Sequence, residues 1–121
     1  SRERVRQLLE ELVEAPSKGR VLLAESENEI VGYATVVRRY SFEWAGEIAV
    51  IDEIFVRGKA RERGIGRRMI AFLAEYAAAE GMPSITLEVS TANVSAHEFY
   101  RAVGFQRMDR EIYVRMLSGP R

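Results

Sequence analysis

The tightest constraint on this chain is a junction. A nearly continuous apolar run, Ala49-Val50-Ile51-Asp52-Glu53-Ile54-Phe55-Val56, is followed within a few residues by Arg61-Glu62-Arg63-Gly64-Ile65-Gly66-Arg67. The first run has the length and composition of a strand, and its apolarity predicts a strand buried on both faces. From Gly64 to Glu80 the residues Ile65, Met69, Phe72, Leu73, Tyr76 and Ala77 form one helical stripe, and Gly81 and Pro83 stop it. The chain must therefore turn from strand to helix through a segment of glycines and arginines. Glycine lets a backbone approach a ligand closely, and a helix N-terminus offers unpaired N–H donors and a positive dipole end. A junction of this kind suits phosphate, with arginines adding charge-assisted contacts.

The pattern Arg-x-x-Gly-x-Gly is weak alone, since a match of this type arises by chance in roughly one in ten chains this long. A tight turn with no ligand remains open at this point. Two glycine-loop rivals fail on their own residues. A P-loop needs Gly-Lys-Ser/Thr, but Gly58-Lys59 is followed by Ala60. A dinucleotide fingerprint needs a third small residue where Met69 stands. Arg57, Lys59, Arg61, Arg63, Arg67 and Arg68 make a basic cluster, yet no aromatic residues interleave with them as in single-strand binders. Lys+Arg and Asp+Glu both number 18, which argues against bulk attraction to nucleic acid or anionic membrane. Cysteine is absent, so thiolate nucleophiles and zinc–thiolate sites are excluded, and one histidine, His97, makes no metal cluster. With no membrane-length apolar run and no visible signal peptide, the expectation is a cytoplasmic protein without nucleic-acid, membrane or metal partners.

The rest of the chain predicts a mixed α/β sheet with helices on its faces, in a single domain over residues 1–121. An amphipathic helix spans Arg4–Ala15, with Val5, Leu8, Leu9, Leu12 and Val13 on one stripe. Strands follow over Arg20–Glu25 and Ile30–Arg39 around a turn at Ser26-Glu27-Asn28-Glu29, and Tyr40–Gly46 is less regular. Beyond the central helix come a strand at Ser84–Val89, a short helix starting at Asn93 or Ser95, and a closing hairpin of Phe105–Met108 and Ile112–Leu117. Ser95-Ala96-His97-Glu98 has capping-box spacing. Ser118–Arg121 reads as a loose tail.

A second motif sharpens the first. Asn93-Val94-Ser95-Ala96-His97-Glu98-Phe99-Tyr100-Arg101-Ala102-Val103-Gly104-Phe105 fits Asn-x-x-Ala-x-x-Phe-Tyr-x-x-x-Gly-Phe, one helix and one strand beyond the glycine loop. Together the two motifs and the element order over roughly residues 20–117 resemble the GNAT superfamily, the GCN5-related N-acetyltransferases. The resemblance implies the acyl-CoA N-acyltransferase fold, a mostly antiparallel sheet whose fourth and fifth strands splay apart around acetyl-CoA. Ile51–Val56 resembles the fourth strand. A strand and helix that usually precede the first helix are missing from this sequence.

Acetyl transfer to an amine needs four things: deprotonation of the amine, a donor for the oxyanion, a proton for the thiolate, and alignment of the reactants. The resemblance assigns the pyrophosphate to the backbone of Arg61, Glu62, Arg63, Gly64, Ile65, Gly66 and Arg67. It gives the pantetheine arm to Ile54, Phe55 and Val56, and a further cofactor contact to Asn93. Tyr100 becomes the proton donor to the thiolate, since a phenol with a pKa near 10 is protonated at neutral pH. Asp52, and after it Glu53, are the candidates for the base. As neighbours on a strand they are expected on opposite faces, and a buried carboxylate is the kind tuned for that work. Glu43 is expected near the substrate mouth and His97 exposed without a chemical role. The implied acceptor is a small-molecule primary amine, with a protein or peptide amine, or a non-catalytic acyl-CoA-binding module, as alternatives. A homodimer paired through an edge of the closing hairpin is conceivable.

Overall fold

The structure is a computed structural model that describes residues 2–119, and the end of the expected tail lies outside it. The chain falls into two compact units, Ser1–Ser90 and Thr91–Arg121.

The first unit holds α1 (Arg2–Glu14), β1 (Gly19–Ser26), β2 (Glu29–Ser41), β3 (Gly46–Val56), a 3-10 turn (Gly58–Arg63), α2 (Ile65–Ala79) and β4 (Ile85–Leu87). The strands form one sheet in the order β1-β2-β3-β4. The first three strands are antiparallel, and α2 crosses over so that β4 lies parallel to β3. Glu27 and Asn28 both have positive φ, as the two-residue turn between β1 and β2 requires. The β2–β3 ladder continues to Ser41 opposite Gly46, so the irregular part of the segment narrows to a turn over residues 42–45.

One face of the sheet lies under α2. A Cβ on Gly32 would meet the Phe55 carbonyl oxygen of the neighbouring strand at 2.7 Å, so a glycine is required there; the Met69 sulfur of α2 would lie in ordinary contact at 3.4 Å. Ala34, Val36 and Ile51 pack with Ile65, Met69, Ile70 and Leu73 in the core. At the far end of this face Arg38 ties the layers together, with Glu80 at 2.8 Å and Glu47 at 3.2 Å. These acceptors hold its guanidinium above its ordinary pKa. α1 contacts β1 but keeps Val5, Leu8 and Val13 about half exposed.

β3 departs from its expected burial. Its first half is buried, whereas Asp52, Glu53 and Phe55 are exposed. There are two causes. β4 is shorter than expected and its ladder ends at Leu87 opposite Ile51, so it does not cover the rest of β3. β3 also carries a bulge: Ile51 opposes Val36 and Glu53 opposes Thr35, leaving Asp52 without a partner. Thr35 and Val36 are neighbours and face opposite ways, so their partners Glu53 and Ile51 do too. Regular alternation would have put Glu53 on the same face as Ile51, under α2. The bulge thus fixes the face of Glu53 through Thr35, whereas the unpaired Asp52 has no partner to set its face.

The second unit contains α3 (Val94–Ala102). Asn93 is its N-cap: its side chain accepts from the Ala96 N–H at 3.2 Å. The capping box expected from Ser95 does not form, because the helix starts two residues earlier; the Ser95 hydroxyl donates to Asn93 instead. Gly104, at φ 102°, ends the helix. The closing hairpin is not formed, and residues 105–117 contain no strand. Within this unit no layer covers the hairpin's apolar residues: Tyr113 and Leu117 are each 90% exposed, and a lone two-stranded ribbon is marginal in water.

Candidate active site

The glycine segment is a short 3-10 turn followed by a left-handed residue and then a helix. Gly64 has φ 74° and ψ 20° and is the N-cap of α2, with no side-chain cap. Its left-handed backbone favours glycine, and a Cβ there would meet nothing within 4 Å. The first helical bond runs from the Arg68 N–H to the Gly64 carbonyl at 3.1 Å. That leaves the N–H groups of Ile65, Gly66 and Arg67 without helical acceptors at the positive end of a helix of 15 residues. Three such donors beside an open glycine fit a phosphate group.

The arginines divide their work. Arg61 donates from Nε to the Val56 carbonyl at 2.9 Å and lies over the Phe55 ring at 5.9 Å. Arg63 donates to the Ser26 hydroxyl at 3.3 Å. Both therefore brace the turn against β3 and β1. Arg67 is exposed at the start of α2, and its side chain makes no hydrogen bond or ion pair among the described residues, as is also true of the Glu62 side chain.

The strand that feeds this turn is open on one side. Past Ile51, β3 runs from Asp52 to Val56 with no strand on its β4-facing edge among the described residues. This is the splay between the expected fourth and fifth strands. Ile54, Phe55 and Val56 lie along it, where an extended ligand can pair with the backbone as an added strand does. Asp52 and Glu53 lie at its start. Asp52 makes no hydrogen bond or ion pair among the described residues, whereas Glu53 accepts from the Tyr33 hydroxyl at 3.0 Å. Sequence reasoning missed Tyr33. The alternation of β2 sets its face, but only the bulged register brings Glu53 beside it.

Glu43 is elsewhere. It lies in the turn joining β2 to β3, at the opposite end of β3 from the glycine segment. Gly46 precedes Asp52 by six residues, or roughly 20 Å of strand.

In the second unit Tyr100 is half-buried within an aromatic cluster. Its ring meets Phe99 at 5.2 Å and Phe105 at 5.6 Å, both edge-on. Burial raises its phenol pKa above the ordinary 10.0, so the hydroxyl keeps its proton throughout the neutral range. Asn93 caps the helix that carries it. His97 is half-buried rather than exposed. The described residues include no helix long and apolar enough to cross a membrane and no group of side chains able to hold a metal.

Comparison with known proteins gives the family and the fold. The model of the acetyltransferase (GNAT) family matches residues 1–105. An aminoglycoside N(6')-acetyltransferase type 1 of Stenotrophomonas maltophilia is 29% identical over 118 residues, covering 93% of this chain and 77% of that protein. An uncharacterised N-acetyltransferase of Bacillus subtilis (strain 168) is 27% identical over 86 residues, covering 71% of this chain; the matched part is 58% of the Bacillus protein's length. The structure of AAC(6')-Iy in complex with a bisubstrate analogue, CoA-S-monomethyl-acetylneamine, superposes with a TM-score of 0.81 at 21% identity, covering 90% of this chain and 76% of that one.

Proposed function

The chain belongs to the acetyltransferase (GNAT) family and is an acetyl-CoA-dependent N-acetyltransferase; we propose that it acetylates a primary amine of a small, cationic molecule by direct attack, with both substrates bound together. The observation that carries this reading is the open edge of β3 ending in the unpaired N–H groups of Ile65, Gly66 and Arg67. Acetyl-CoA bound there supplies an activated acetyl group as a thioester. The three N–H groups hold its pyrophosphate, and the backbone of Ile54–Val56 holds the extended arm.

Two exposed carboxylates, Asp52 and Glu53, stand at the start of the same edge. They attract an ammonium group and, through one of them, take its proton. Attraction of this kind favours a cation over a neutral amine without naming it. The aminoglycoside acetyltransferases among the relatives support a polyamine or amino-sugar acceptor. Tyr100, kept protonated by its surroundings, returns a proton to the departing thiolate. No side chain in this scheme forms a covalent intermediate, and the chain has no cysteine to do so.

An amine screen with acetyl-CoA, reading released thiol, tests this. Turnover is expected with polyamines or amino sugars and is expected to be weaker with peptide N-termini. CoA binding without turnover on any amine or peptide would instead make the chain a binding module.

A further inference from the structure

We propose that Tyr33 is a positioning residue for Glu53, and that Glu53 rather than Asp52 is the carboxylate that receives the acceptor amine. This rests on the acetyltransfer reading above and adds to it a residue on β2 that neither motif contains. The geometry begins with the bulge. By leaving Asp52 unpaired, it turns Glu53 onto the face that carries Tyr33, Thr35 and Phe55. Tyr33 is directly opposite Phe55 and diagonal to Glu53, within reach of a long side chain. Its hydroxyl donates to Glu53 Oε1 at 3.0 Å.

An exposed glutamate samples many rotamers, and ordering it costs about 1.5–2 kcal/mol of side-chain entropy. A phenol on a sheet removes much of that freedom, because it has only two side-chain torsions and is itself braced. The Tyr33 and Phe55 rings are 6.0 Å apart and tilted by 43°. Arg61 lies over Phe55 and is bonded to the Val56 carbonyl. A continuous run of contacts thus links the glycine segment to the Glu53 carboxylate: Arg61, Phe55, Tyr33, Glu53. Glu53 keeps one oxygen for a ligand while Tyr33 occupies the other. Among the described residues no side chain gives Asp52 comparable support.

The reverse effect of the contact is visible on Tyr33. Its phenol pKa is raised above 10.0, first by the hydrogen bond to Glu53, then by burial and by the nearby negative charge.

The test uses the whole chain with Tyr33→Phe, Glu53→Gln, Asp52→Asn and the Tyr33→Phe/Glu53→Gln double variant. Tyr33→Phe keeps the ring on Phe55 and removes only the hydroxyl. Its kcat is expected to fall about 10-fold with the KM for acetyl-CoA unchanged, and Glu53→Gln to lose about 100-fold. In the double variant the tyrosine change is expected to cost less than 2-fold beyond Glu53→Gln, because the hydroxyl acts through the carboxylate. A carbon-13 titration of the Tyr33 ring, which needs no turnover, is expected to show the phenol titrating at lower pH in Glu53→Gln. The assignment is overturned if Tyr33→Phe turns over like the parent, if the two changes multiply, if Asp52→Asn is the inactive variant while Glu53→Gln is not, or if the Tyr33 titration ignores Glu53. Failure of acetyl transfer itself looks different: the parent chain then releases no thiol with any amine. That result removes Tyr33's role in turnover as well, whatever the titration shows.

Discussion

The two halves of β3 belong to one strand and differ in almost every physical respect. From Gly46 to Ile51 it is flanked by β2 and, from Ala49, by β4; Ile48 and Ala49 are completely buried. From Asp52 to Val56 the β4-facing edge carries no strand among the described residues, and Phe55 is 42% exposed. The first half is held by packing, which has no use for a ligand. The second half has spare backbone groups, two carboxylates and a glycine turn at its end. The bulge at Asp52 separates them. A strand can thus anchor the core at one end and offer a binding edge at the other, provided its neighbour stops short.

If that division is sound, changes in the two halves separate stability from function. The largest effect is expected from Ile48→Ala, which leaves a cavity where the side chain is fully enclosed. It should cost about 3–4 kcal/mol of stability in denaturant unfolding, while CoA affinity per folded molecule stays the same. A large change in that affinity would break the division. Tyr100→Phe comes next. It is expected to lower kcat about 100-fold, or about 3 kcal/mol of barrier, with CoA affinity kept. The pH profile sharpens it. A raised phenol pKa keeps the acid form at neutral pH, so any alkaline loss of kcat due to Tyr100 should begin only above the ordinary phenol range, and Tyr100→Phe should abolish that limb. The smallest effect is expected from Gly64→Ala. The added Cβ meets nothing, so only the left-handed backbone is penalised, by roughly 1 kcal/mol or a few degrees of melting temperature. CoA affinity should fall along with it if the turn aims the helix N–H groups.

Much of this was legible in the residues. The stripe from Ile65 to Ala77, with Gly81 beyond it, predicts α2 well, because 3.6-residue periodicity is local and a glycine stop is local. The turn at Glu27-Asn28 is legible for the same reason. The Asn93–Phe105 motif names its own cap, although the capping-box spacing at Ser95 competes with it. Other features depend on partners distant in sequence. Apolar composition predicts burial of all of β3, yet exposure of its second half depends on where β4 ends. Alternation in residues 105–117 reads as a hairpin, but a ribbon needs a layer to cover it, and the second unit offers none.

The sequence alone pointed to the family and to the strand–turn–helix junction, since these rest on residue identity and short-range spacing. It could not settle which carboxylate is supported, or that Arg61 and Arg63 brace the turn. Those depend on the register between β2 and β3 and on one extra residue in it. A one-residue shift turns a side chain from one face of a sheet to the other. Composition is unchanged by such a shift, so only the paired strands reveal that Glu53 meets Tyr33.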